Sequence, residues 1–208
     1  DIAGCLVVAD ALNCQRETAK VIVCGKGDYL LSVKENQPSL MQDIRDYVQD
    51  DALRGSMSAQ SIREKSRERI EKRTAFVTQD IDWLPQKSQW ARLACIGAIH
   101  TEFQTKAGKS SQWHYYISSR SLSAEGLLHH ARMEWAVESM HWLLDVHFEE
   151  DYLRVANKTI QENMNLLRKF ALGMIKQYKS RTASKRPLSK LMFDSLLDPN
   201  MLLCLLAQ

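Results

Sequence analysis

The sequence predicts an α/β protein, a mixed sheet flanked by helices. Three observations carry that expectation: a strand–helix–strand unit in residues 4–34, further β-like runs between residues 73 and 118, and helical periodicity from residue 123 onward. The 208 residues are 45% hydrophobic and 25% charged, the balance of a globular protein and too apolar for wholesale disorder. Eight Gly and four Pro are too few for a turn-dense sandwich.

Gly4 to Ala9 is a continuous apolar run of strand length, the kind buried in a parallel sheet, and it stops at Asp10. Asn13 is placed to cap a helix over 14–24, with Glu17 in its first turns and Gly25 and Gly27 ending it. Tyr29–Val33 reads as a second strand closing at Lys34, parallel to the first through a right-handed crossover. Leu40, Ile44 and Val48, at spacing four, predict an amphipathic helix over 39–50. Residues 61–73 are dense in charge, with six Lys/Arg (63, 65, 67, 69, 72, 73) against Glu64, Glu68 and Glu71. Three β-like runs follow, Arg73–Val77, Trp90–His100 and Trp113–Ser118, read as an antiparallel extension of the sheet. Ala107-Gly108-Lys109-Ser110 supplies the hairpin turn. A long helix starts near Ser123. Another spans 159–178, with Thr159 and Glu162 as a capping box. A basic segment from Lys179 to Lys190 and a short apolar tail complete the chain, so composition divides it into 1–178 and 179–208, with a β-rich insertion around 52–120.

The net charge of +3 tilts the chain only mildly toward anionic partners. Five Cys form no CxxC pair, and with no secretory signal they point to a reducing, cytoplasmic setting and to core positions. No apolar stretch approaches the ~18 residues needed to span a membrane. The chain opens on Asp1 without a Met and enters a strand almost at once, which reads as a fragment.

Asp10 stands at the carboxyl end of a buried strand, where open α/β sheets place their binding crevices; the bland alternative is a helix-capping Asp. In the helix from 123, Met133, Val137, Met140, Leu144 and Phe148 make an apolar stripe. The opposite face presents Glu134, Glu138, His141, Trp142 and Asp145, either a site or a solvated face. His141 and Asp145 at i and i+4 lack a third zinc ligand, and Gly25-Lys26-Gly27 lacks phosphate-loop spacing.

Several segments resemble one family in the right order. Asp10-Ala11-Leu12-Asn13-Cys14-Gln15 is similar to a "DA-x-x-CQ" segment. Gly27-Asp28-Tyr29 with Lys34-Glu35-Asn36-Gln37 is similar to "GDY…K-x-NQ", and Tyr115–Ser119 to "YYISS". Trp135 to Val146, followed by Glu150-Asp151, resembles "HW-x-(I/V)EN-x-LHW-x-LDV…ED", and Asn163–Lys176 the helix after it. These are the motifs of the H-repeat-associated insertion-sequence transposases, a branch of the DDE transposases.

The resemblance implies an RNase H-like fold, N-terminally truncated, and a catalytic trio of two Asp and one Glu. The second Asp is then Asp10 and the Glu is Glu138, both metal ligands. The first Asp belongs to an upstream "DGK" motif absent from these residues, so the resemblance implies a truncated or inactive copy. Mg²⁺, or Mn²⁺, is the implied cofactor, since hard ions take carboxylate ligands and a pair about 4 Å apart aligns phosphoryl transfer. DNA is the implied partner, with Lys34, Asn36, Gln37, Arg67 and Arg69 as contacts, along with self-association and no membrane. Glu134 and Ser139 depart from the family's His and Asn beside Glu138. A non-catalytic DNA-binding or assembly remnant is the alternative. If Asp10 and Glu138 share ions, their carboxylates should approach within about 4–8 Å.

Overall fold

The structure is a computed structural model. It describes residues 1–65, 69–105, 108–149, 152 and 154–206, with the side chains of 136–138 outside that description. Two compact units emerge, 1–135 and 136–208. The division falls inside a helix, whereas composition changes near 178.

The first unit is a six-stranded mixed sheet. β1 (Leu6–Ala9) pairs in parallel with β2 (Asp28–Val33), as the crossover predicts. Between them a single 3₁₀ turn, Ala11–Asn13, precedes helix α1 (Arg16–Cys24). Asn13 therefore does not cap a helix starting at 14. It closes the 3₁₀ turn that Asp10 caps, and the α-helix begins two residues later behind Gln15. Helix α2 (Pro38–Gln49) starts on a proline, whose missing N–H costs nothing in a first turn. The short helix α3 (Asp51–Ser56) is capped by Asp50, which accepts from Ala52 and Leu53 amides.

Four long antiparallel strands follow: β3 (Ser58–Lys65), β4 (Arg69–Thr78), β5 (Cys95–Thr105) and β6 (Gly108–Ser118). The sheet order is β1-β2-β6-β5-β4-β3. The charged segment at 61–73 is thus largely two strands of a hairpin. β5 begins at Cys95, since Trp90 caps a 3₁₀ turn rather than opening the strand. β6 begins at Gly108, paired with Thr105. Gly108, Lys109 and Ser110 are strand residues, and Ala107 lies outside the described residues.

Alternation sends neighbouring strand residues to opposite faces. Tyr29, Leu31 and Val33 of β2 pack with Ile96, Ala98, Tyr115 and Ile117 against Ile22 of α1 and Leu40, Ile44 and Val48 of α2. On the other face, Leu30, Ala75, Val77, Cys95, Ile99 and Tyr116 meet Ala124, Leu127, Leu128 and Ala131 of helix α4 (Ala124–Phe148). Ser123 Oγ accepts the Gly126 amide at the start of α4. Gly97 leaves room for α4, because a Cβ there would sit 2.6 Å from Leu127 Cδ2.

The second unit is helical: α5 (Lys158–Arg181), α6 (Leu188–Leu197) and α7 (Pro199–Leu206) around Ile175, Leu191 and Leu205, with Phe148 packed on them. Asn157 caps α5, accepting from Thr159 and Ile160 amides, so the expected Thr159–Glu162 box does not form. Asparagine two residues earlier already satisfies those donors. Of the five cysteines, Cys14 and Cys95 are buried as expected, whereas Cys5, Cys24 and Cys204 are exposed.

Candidate active site

Asp10 is the first residue beyond β1 and is exposed, with an extended backbone (φ −70°, ψ 177°). Its Oδ1 accepts the Asn13 amide at 3.3 Å and Asn13 Nδ2 at 2.8 Å. Both bonds fall on one oxygen. A carboxylate offers about four lone-pair sites, so capacity remains on Oδ2. Capping and ligand binding are therefore compatible in this one side chain.

The loop behind Asp10 is held from β2's end. Asn36 Nδ2 donates to the Ala11 carbonyl at 2.5 Å and to the Cys14 carbonyl at 3.4 Å. Gln37 Nε2 donates to the same Cys14 carbonyl at 3.0 Å and to Gln15 Oε1 at 3.4 Å. Residues expected to touch DNA thus have their amide donors engaged inside the loop, bracing the turn that Asp10 caps. Lys34 stands exposed where β2 ends. Cys14 is fully buried, and burial pushes its thiol pKa up to about 12, which keeps it an inert core group. The sequence reading places Asn13 as a helix cap and not as a partner of Asp10, although Asp-x-x-Asn after a strand is an Asx-type turn signal.

Helix α4 presents a different pattern from the expected stripe. Its first turns bury Leu127, Leu128 and Ala131 on the sheet, leaving Met133 54% exposed. Leu144 is buried, while His141, Trp142 and Asp145 are exposed and Glu134 is half-buried. Trp135 gains cover within the first unit, with the Arg73 guanidinium 5.2 Å from its ring centroid and the His114 ring at 5.7 Å. Glu138 lies within α4, and its side chain falls outside the described residues. Arg67 also lies outside them. Arg69 is engaged with Glu71 at 2.5 Å and stands over Phe103.

The mixed sheet with flanking helices carries an acidic residue where a strand of its parallel pair ends, an arrangement that agrees with the RNase H-like fold of DDE transposase domains. Residues 1–174 match the family described as "Transposase DDE domain", and the chain belongs to that family. It is 30% identical over 188 residues to YncI of Escherichia coli O157:H7, whose name places it among the transposases; the match covers 86% of this chain and 47% of that protein. YhhI of Escherichia coli (strain K12), named as H repeat-associated and likewise as a transposase, is 29% identical over the whole chain and 56% of its own length. The chain spans about half the length of these curated relatives. Among the described residues no helix is long and apolar enough to cross a membrane.

Proposed function

We propose that this chain serves DNA transposition by contributing Asp10 and Glu138 to a carboxylate trio that holds divalent metal for phosphoryl transfer on DNA. The observation that carries the reading is the Asp10 loop: an exposed carboxylate at a strand end, one oxygen aligned by Asn13, its backbone braced by Asn36 and Gln37. Oxygen donors of this kind suit a hard cation such as Mg²⁺. When bound, the ions neutralise phosphate charge and align the attacking and leaving oxygens. Asp10 supplies a fixed carboxylate, Asn13 orients it, and Lys34 is placed to meet a phosphate. With two carboxylates of a trio, these 208 residues alone are expected to hold metal weakly and to leave DNA uncut.

Mn²⁺ titration of the chain, followed by electron paramagnetic resonance, tests the pair. Losing a ligand weakens binding at least as much as losing an outer-sphere partner, about tenfold or more. Asp10→Asn and Glu138→Gln should each do so, and the double variant should lose less than the product of the two single losses, the non-additivity of two ligands on one site. Mn²⁺ affinity unchanged in both singles would refute the pairing. So would DNA cleavage that survives Asp10→Asn.

A further inference from the structure

The four long strands place a second set of charges together. Arg63 lies opposite Lys72, Lys72 opposite Glu102, and Glu102 opposite Ser111, one row across β3, β4, β5 and β6. Lys109, opposite Gln104, belongs to the next row on the same face. His100, opposite Trp113, belongs to the row before. Arg63, Lys72, His100, Glu102, Lys109 and Ser111 line an open concavity of about 500 Å³. Its lining holds three cations and one carboxylate. Glu102 pairs with Lys72 at 3.2 Å, both side chains about half exposed (48% and 53%), which among the described residues of the lining leaves Arg63 and Lys109 as excess positive charge.

The opposite face of these strands is built otherwise. Arg73 and Arg132 reach Glu64 at 2.6 and 2.5 Å, Arg73 also binds Glu71, and Arg69 meets Glu71 at 2.5 Å. The Arg73 and Arg132 guanidiniums hold the Glu64 carboxyl below the usual carboxylate range. There each arginine is paired with a carboxylate, and α4 contributes Arg132 and Trp135 to the cover. On the concave face Arg63 sits directly across from Lys72. A like-charged cross-strand pair destabilises a sheet, and an anion seated beside it reverses the sign. His100, which lines the concavity, stacks on Trp113 with ring centroids 4.3 Å apart.

We propose that this open face of β3–β6 docks the phosphate backbone of DNA, with Arg63, Lys72 and Lys109 as the contacts. The proposal rests on the reading above that DNA is the substrate. From β3 to β6 is three strand spacings, about 14 Å, close to the ~12 Å width of a B-DNA major groove. Cations at the two ends therefore reach phosphates flanking one groove. Such contacts carry no base information, so the surface is indifferent to sequence.

Fluorescence anisotropy of the full chain with a fluorescein-labelled duplex of arbitrary sequence, in metal-free buffer, tests this. The Arg63→Ala/Lys109→Ala variant should bind about tenfold more weakly, its salt slope shallower by about 0.9 for each phosphate no longer neutralised. A control of equal charge, Lys20→Ala/Lys158→Ala, should stay within twofold of the unsubstituted chain. Glu102→Gln, which removes the carboxylate without shortening the side chain, should bind about two- to fivefold more tightly. This gain decides the matter if the double variant does not fold. Unchanged affinity and slope in the double variant, or no gain in Glu102→Gln, would overturn the proposal. So would binding of polyglutamate, through Arg63 and Lys109, in preference to DNA. The two readings fail separately: Asp10→Asn should lose Mn²⁺ and keep the duplex, and Arg63→Ala/Lys109→Ala should do the reverse.

Discussion

Asn36 does more for the site than its exposure suggests. Its Nδ2 bridges the carbonyls of Ala11 and Cys14, on either side of the turn that Asp10 caps. Each amide–carbonyl bond contributes about 0.5–1.5 kcal/mol net, so Asn36→Ala should cost about 1–2 kcal/mol in urea unfolding. Because the loop aims the Asp10 carboxylate, the same variant should weaken Mn²⁺ binding about tenfold, the scale of a lost outer-sphere partner. A lowered unfolding midpoint with Mn²⁺ affinity intact would make Asn36 a purely structural brace. Little of this is legible in the sequence. Lys34, Asn36 and Gln37 stand out as a motif, but which carbonyls the amides meet depends on a contact 22–25 positions away in the chain.

At the scale of elements, the α4–sheet contact depends on a missing side chain. Gly97 sits in β5 where Leu127 Cδ2 would lie 2.6 Å from an added Cβ, and the Phe76 carbonyl oxygen 3.2 Å away. Gly97→Ala should therefore push α4 off the sheet and cost about 1–3 kcal/mol, the range for overpacking. Thermal unfolding of the variant, with Leu127→Ala added to restore space, checks the cause: partial recovery in the double variant is expected. The elements legible in the sequence are those that meet the core. β2 and α2 lie within a residue or so of their expected spans. β3 does not, because every residue in it except Ile62 and Glu64 is exposed, so no apolar alternation marks it. For the same reason the outer halves of β4, β5 and β6 read as charged loop and turn. Their register, and so the basic face, comes from pairing with neighbours rather than from burial.

For the whole molecule, the sheet order leaves β1 and β3 as edges. β3 protects itself with Arg63 and Lys65, charges that discourage pairing with another chain. β1 has no such guard: Leu-Val-Val-Ala is apolar and half-buried at each of its four positions. The Cys5 carbonyl accepts from Asp28, and pairing in a parallel ladder alternates, so residues 7 and 9 also face β2. Leu6 and Val8 then aim their N–H and C=O groups away from it, and among the described residues no strand takes them up. These 208 residues alone should consequently self-associate through β1, with sedimentation velocity showing a mass that rises with concentration. Val8→Pro removes an outward donor without touching the β1–β2 ladder, a position where edge strands tolerate proline. It should shift the chain toward monomer while leaving the far-ultraviolet spectrum unchanged. A concentration-independent monomer with a sharp, high melting temperature before substitution would show that this edge is satisfied some other way, and with it that the parallel pair is stable without a further strand beside Asp10.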